Sequence, residues 1–237
     1  MRIVVTGAGS GIGAATLRLL VSQGHQVIGM DRDAEAAREV AGAGNAIGVD
    51  VADEAAVVAA FGEAGAKLSG LDALATCAGI YETTGFFDTT ADIFRRVHDV
   101  NVIGTFLCMR EGARLMENGG RICTVASVAG LRGGGLAGTV AYASSKGAIL
   151  AVTKNAARAL ADRGIAVNTV APGMIETPFV TRPLADPALR KRIEGMAIQN
   201  RLGTPEEIAE AISWLLSPQA SFCNGMTLVA DGGMVMH

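Results

Sequence analysis

Short apolar runs alternating with longer stretches of helical spacing set the tightest limit on how this chain folds. Residues 3–5, 27–30, 46–49, 73–76, 122–125, 167–170 and 227–229 read as strands. Between them, residues 12–23, 34–40, 54–66, 93–116, 141–161 and 206–215 place apolar side chains at helical intervals. Regular alternation of this kind implies a parallel sheet covered by helices on both faces, and the handedness of crossovers makes a doubly wound topology the simplest solution. The expected fold is α/β: a Rossmann-type doubly wound sheet of about seven mostly parallel strands in a three-layer αβα arrangement. An aromatic share of only 4% among 50% hydrophobic residues, with 31 glycines, suits helices packed closely on such a sheet. No linker, repeat or low-complexity segment divides the 237 residues, so the chain reads as one domain, 1–237. Two irregular stretches stand out, a Gly-rich one at 130–138 and one from 174 to about 200 with prolines at 178, 183 and 187. The second is a candidate substrate lid.

A formal net charge of -3 without a Lys/Arg-rich block leaves no electrostatic footprint for nucleic acid or an acidic membrane surface. The expected partner is a small molecule. The opening Met1-Arg2 runs directly into a strand, without a charged leader or a long apolar segment, which points to the cytoplasm. Cys77, Cys108, Cys123 and Cys223 are scattered, as are His25, His98 and His237, so no ligand set for a metal is visible and the cysteines read as reduced.

After the first strand comes Thr6-Gly7-Ala8-Gly9-Ser10-Gly11-Ile12-Gly13. Glycines there let the backbone turn sharply and approach a pyrophosphate, which rests on free N–H groups at the positive end of a helix. Tight strand-to-helix turns need glycine in any case; the place between first strand and first helix is what favours a dinucleotide. Asp31 closes the second strand eighteen residues beyond Gly13, where a carboxylate accepts hydrogen bonds from ribose hydroxyls and repels a 2′-phosphate. Capping of the following helix is the lesser alternative for Asp31, and the adjacent Arg32 could pair with a phosphate. Asp31 favours NAD over NADP. Asp50-Val51, at the end of the third strand, offers a polar contact and an apolar face to adenine, with helix capping as the alternative for Asp50.

Tyr142 and Lys146 are four residues apart on one helical stretch and so share a face. A phenol is a poor base at neutral pH, but an ammonium and the positive charge of an oxidised nicotinamide stabilise its phenolate. In isolation such a pair is usually only a solvated helix pair. Ser127, just past the fifth strand, can hydrogen-bond a substrate oxygen on which charge develops, or can be an ordinary turn serine. Asn101 is an odd choice within the helical 93–116 and holds either a water or a neighbouring backbone group.

Together these motifs resemble the short-chain dehydrogenase/reductase family, in its shorter subgroup, over essentially the whole chain. The resemblance rests on TGAGSGIG at 6–13, Asp50-Val51, Ala78-Gly79, Asn101, Ser127, YASSK at 142–146, VNTVAPGMIETP at 167–178 and Asp231-Gly232-Gly233. It implies an NAD(H)-dependent oxidoreductase interconverting a secondary alcohol and a ketone by direct hydride transfer, with a tetrad of Asn101, Ser127, Tyr142 and Lys146. In that tetrad Tyr142 exchanges the alcohol proton and Ser127 orients the substrate oxygen. Lys146 tunes Tyr142 and binds ribose, and Asn101 supports a water relay through Lys146. The resemblance further implies that Gly7, Ser10, Gly11, Ile12, Gly13, Cys77, Ala78 and Gly79 border the cofactor. Pro172 and Gly173 would border the nicotinamide, with Ile175 and Thr177 reaching its carboxamide and the phosphates. A homotetramer, or a homodimer, is implied with the long helices 93–116 and 141–161 at a dimer face.

Two departures from the family pattern are visible. Cys77 stands where an Asn usually precedes Ala-Gly, and Ser127 and Tyr142 are fifteen positions apart, somewhat more than usual. Competing readings are an NADPH-dependent reductase of carrier-bound 3-ketoacyl groups, with Arg32 as phosphate clamp, and a nucleotide-sensing protein without turnover. Ile80, Tyr81, Glu82, Leu131, Arg132, Met174, Phe179 and Arg182 are candidate pocket residues that fit a polyol, a hydroxy acid or an apolar alcohol equally well.

Overall fold

The computed structural model describes residues 1–42, 44–117, 119–134, 139–178 and 186–236. Seven parallel strands form one sheet: β1 (Arg2–Thr6), β2 (Gln26–Asp31), β3 (Ala46–Gly48), β4 (Ala73–Thr76), β5 (Gly120–Val125), β6 (Ile165–Pro172) and β7 (Thr227–Ala230), in the order β3-β2-β1-β4-β5-β6-β7. The helices are α1 (Gly11–Ser22), α2 (Ala34–Ala41), α3 (Glu54–Leu68), α4 (Ala91–His98), α5 (Thr105–Leu115), α6 (Val128–Arg132), α7 (Val140–Ala159), α8 (Pro187–Glu194) and α9 (Pro205–Leu216). This is the doubly wound, three-layer α/β fold expected from the alternation.

The strands read as nearly unbroken apolar runs because both faces of the sheet are buried. Alternate residues serve opposite layers. Ile3, Val5, Val27, Ala73 and Ala75 pack with Leu17 and Leu20 of α1 and Ile208 and Ile212 of α9. Val4, Ile28 and Leu74 pack instead with Phe61 of α3, Leu107 of α5 and Ala157 of α7. Order reverses at β1, which pairs with β2 on one side and β4 on the other, and open α/β sheets bind ligands at the carboxyl ends beside such a reversal.

Capping explains where most helices begin. Asp33, Asp53, Thr90, Asp186 and Thr204 each accept a hydrogen bond from the first turn of α2, α3, α4, α8 and α9. The caps of α2 and α3 are thus Asp33 and Asp53, which removes capping as the explanation of Asp31 and Asp50. Helix α1, like α7, has no side-chain cap and no acidic residue in its first turn.

The structure departs from the sequence expectation in three places. The helical stretch 93–116 is interrupted by a π-helical turn, Asp99–Gly104, between α4 and α5. The Gly-rich stretch opens with α6, and 135–138 lie outside the described residues. The stretch from 174 contains α8, begun by Asp186 with Pro187 in the first turn, where a missing N–H costs nothing. The candidate lid's residues 179–185 lie outside the described ones.

Candidate active site

The carboxyl ends of β1, β2, β4, β5 and β6 open into one cavity of about 510 Å³. Every cofactor residue named from the sequence lines it, from Gly7 to Thr177, together with Ser127; Asn101 does not.

The glycines of the turn after β1 are needed for close approach. A Cβ on Gly13 would stand 2.1 Å from the Gly7 carbonyl oxygen, and one on Gly7, at φ +67°, 2.7 Å from the Ala78 nitrogen. The start of α1 is therefore packed onto the turn and the turn onto the end of β4. Asp31 pins the arrangement: its Oδ2 accepts from the Gly9 N–H (2.9 Å) and its Oδ1 from the Asp33 N–H (2.9 Å). Asp50 Oδ1 accepts from the Ala52 N–H at 3.0 Å. Val51 is buried beneath the π turn, where a Cβ on Gly104 would stand 2.7 Å from its Cγ2. These features fit a dinucleotide: a backbone cradle that any Cβ would fill, and an uncapped helix end where phosphate charge is favoured.

After β4, the Cys77 and Ala78 N–H groups donate to Thr6 O and Thr6 Oγ1, each at 3.2 Å. The backbone therefore keeps its anchor without the usual amide side chain. Desolvation pushes the Cys77 thiol up to about 12, so it stays neutral.

Asn101 sits on the π turn with no exposed surface. Its Oδ1 accepts from the Ile80 N–H (2.7 Å), and its Nδ2 donates to Ile80 O (3.0 Å) and Ser145 Oγ (3.0 Å). Of the two roles open to it, holding a neighbouring backbone group is the one observed. Gly79 separates it from Lys146: a Cβ there would stand 3.2 Å from Asn101 Oδ1 and 3.6 Å from Lys146 Nζ.

Ser127 caps α6, accepting from the Ala129 N–H at 3.1 Å, while still lining the cavity beside Tyr142. Gly130 brings α6 onto α7, since a Cβ there would stand 2.5 Å from the Lys146 carbonyl carbon. Sequence reasoning missed this contact, because a glycine in a Gly-rich run carries no mark of what it touches.

The Tyr142–Lys146 pair departs from expectation. Lys146 Nζ donates to the Val125 carbonyl at 2.7 Å and lies 5.9 Å from the centroid of the Tyr142 ring. Burial lowers the Lys146 ammonium to about 8. Burial also pushes the Tyr142 phenol up to about 12, with Ser127 opposing the rise and Tyr81 adding to it. The chain's own groups thus favour the protonated phenol, because desolvation outweighs the help of a neighbour engaged elsewhere.

Asp231-Gly232-Gly233 supports the same cavity from outside. Asp231 Oδ1 accepts from Gly233 N–H (2.9 Å), and a Cβ on Gly173 would stand 2.8 Å from the Asp231 Cα. Of the candidate pocket residues, Ile80, Tyr81 and Met174 line the cavity. Leu131 packs instead with Ala126 and Ile149, and Glu82 Oε1 accepts from the Thr83 and Thr84 N–H groups. Arg132 is not on the lining, and Phe179 and Arg182 lie outside the described residues. Val128 on α6 and Leu189 and Ile193 on α8 join the lining without having been anticipated, because neither helix was foreseen.

A family model described as enoyl-(acyl carrier protein) reductase matches residues 7–235. The cis-4-hydroxycyclohexanecarboxylate dehydrogenase of Sinomonas cyclohexanicum is 38% identical, over 97% of this chain and 94% of its own length. The 2,5-dichloro-2,5-cyclohexadiene-1,4-diol dehydrogenase of Sphingobium indicum (strain B90A) is 37% identical, over 98% and 95%. A crystal structure described as ribose-5-phosphate isomerase from Brucella melitensis 16M superposes with a TM-score of 0.92 at 34% identity, covering 98% of this chain and 91% of that one.

Proposed function

Because the chain belongs to the short-chain dehydrogenase/reductase family, we propose that it is an NAD(H)-dependent oxidoreductase interconverting a secondary alcohol on a carbocycle and the corresponding ketone. The observation that carries this reading is one cavity lined by the glycine cradle of β1–α1 and by Ser127, Tyr142 and Lys146. Both dehydrogenase relatives above are named for compounds whose hydroxyl groups sit on six-membered rings, which supports the ring class.

A nicotinamide dinucleotide bound in this cavity would supply the hydride acceptor for the alcohol carbon. Tyr142 takes the hydroxyl proton, and Ser127 hydrogen-bonds the oxygen as the carbonyl forms. Lys146, moved from Val125 O, stabilises phenolate and reaches ribose hydroxyls. Asn101 holds the loop that borders them, with the relay through Lys146 passing the Gly79 gap. Gly7, Ser10, Gly11, Ile12 and Gly13 would hold the pyrophosphate, and Asp50 and Val51 would take the adenine edge and face. Cys77, Ala78 and Gly79 would line the cofactor's middle, while Pro172, Gly173, Ile175 and Thr177 would border the nicotinamide end.

Asp31 on the cavity wall supports NAD over NADP, since its carboxylate repels a 2′-phosphate. The NADPH-dependent ketoacyl reductase reading keeps one observation in its favour, Arg32 on the same wall. The reading extends to a single domain, a cytoplasmic protein and a homotetramer. Ile103 on the π turn and Phe106 on α5 stay about half exposed, with Arg110 over the Phe106 ring, which supports a partner surface there.

The test is oxidation of cyclic alcohols with NAD and NADP, followed by absorbance of the reduced cofactor, alongside dissociation constants for both. Turnover with NAD and its loss in Tyr142→Phe are expected. A tighter NADPH would overturn the cofactor assignment, and an undiminished Tyr142→Phe the catalytic one.

A further inference from the structure

Tyr81 has no part in the mechanism above, yet it is the side chain that packs directly on Tyr142. Their ring centroids are 4.9 Å apart at an interplanar angle of 78°, an edge-to-face contact, and both rings line the cavity. Resting on the dehydrogenase reading, we propose that Tyr81 is the specificity-determining residue of the substrate pocket. Its ring, braced on Tyr142, is the wall against which the carbocycle of a cyclic secondary alcohol packs.

The loop that carries Tyr81 is clamped on both sides of it. Ile80 is held through both its N–H and its carbonyl by Asn101. On the other side, Thr139, next to the first residue of α7, donates its hydroxyl to Glu82 O at 2.7 Å. Glu82 Oε1 then closes the following turn, accepting from Thr84 N–H (2.9 Å) and Thr84 Oγ1 (2.6 Å). Tyr81 and Tyr142 are therefore referenced to the same helix, and the wall and the acid/base keep a constant relation.

The chemistry of the lining favours a neutral ring. Val128, Met174, Leu189 and Ile193 add apolar surface to the same cavity. Among the described residues lining it, the cations are Arg32, beside Asp31 at the end of β2, and Lys146, beneath Tyr142. Burial holds the Tyr81 phenol above its ordinary value, so it is a neutral surface and not a second base. A rigid aromatic wall rewards a rigid ring, which binds without losing the internal rotations that an open chain must give up.

The experiment compares kcat/KM for cyclohexanol and cycloheptanol with that for the open-chain secondary hexanol and heptanol, using NAD. Tyr81→Ala is expected to lower the cyclic-to-open-chain ratio by about tenfold or more, and Tyr81→Phe, which restores the ring, to hold it within about threefold of wild type. Misfolding or a displaced Tyr142 lowers both classes together and leaves the ratio alone. An unchanged ratio in a Tyr81→Ala protein that still oxidises the open-chain alcohols at about the wild-type rate overturns the assignment of Tyr81 and spares the dehydrogenase reading. A wild-type chain that oxidises neither class with either nucleotide overturns both.

Discussion

Lys146 donates its ammonium to the main-chain carbonyl of Val125 at 2.7 Å, and the same nitrogen lies 5.9 Å from the ring centroid of Tyr142. The lysine is thus held at the carboxyl end of β5, one helical turn from the phenol, with its charge weakened by burial to a pKa of about 8. On the proposed reading, activation of Tyr142 requires that charge to be turned towards it.

The pH dependence follows from the two shifts. Burial holds the Tyr142 phenol up at about 12, so the base form is scarce at neutral pH until positive charge is brought beside it. Oxidation with saturating NAD should rise with pH through a single ionisation well below 12, and Lys146→Met should move that limb upward. Tyr142→Phe should lose about 10²–10⁴-fold in kcat. A flat profile from about pH 6 to 10, with chemistry shown to limit turnover, would sink the assignment of Tyr142 as base.

Asn101→Ala should destabilise the fold as well as slow the enzyme. It leaves the Ile80 N–H and carbonyl without their partner, and a buried polar group left unsatisfied costs about 1–3 kcal/mol. Denaturant unfolding should show a loss of about 2–4 kcal/mol. A loss under about 0.5 kcal/mol would mean that the clamp contributes nothing.

Gly130→Ala and Gly62→Ala should have opposite signs. An added methyl at Gly130 meets the Lys146 carbonyl carbon at 2.5 Å and the Gly147 nitrogen at 2.6 Å, so α6 must lift from α7 at about 1–3 kcal/mol. At Gly62, within α3, nothing lies within 4 Å, and the helix should gain about 0.5–1 kcal/mol. Thermal unfolding reads both, and equal shifts would refute the close packing of α6.

Glu207 links stability to pH. Arg201 holds its carboxyl down at about 2 from an ordinary 4.5, aided by the Thr204 N–H. A depressed folded-state value stabilises the protein above 4.5, and the contribution fades as pH falls towards 2. Glu207→Gln should therefore melt below wild type at neutral pH, the gap closing between those two values. Because the pair is about half exposed, the gap should be small and shrink with salt. A gap independent of pH would leave the capping geometry, not the charge, as its cause.

Much of the site was legible because its signals are local. Both buried faces wrote the strands as unbroken apolar runs, and the glycines after β1 were marked by their place between a strand and a helix. The spacing of Tyr142 and Lys146 could be read directly. Helix α6 was not, since five residues with two glycines nearby carry no helical period, and α8 was hidden by prolines, although Pro187 in fact starts it. Asp31 and Asp33 are equally good caps by type; what separates them is that Asp33 accepts from Ala36 in α2 while Asp31 accepts from Gly9.

The sequence by itself determined the layer architecture, because hydrophobic period acts within one element, and it marked Ser127, Tyr142 and Lys146 as candidates through their motifs taken together. The tertiary structure alone decided that Asn101 holds Ile80, that Lys146 rests on Val125 and that Tyr81 braces Tyr142. Those contacts join residues 21, 21 and 61 positions apart, set by how helices seat on the sheet, a relation that no local period encodes.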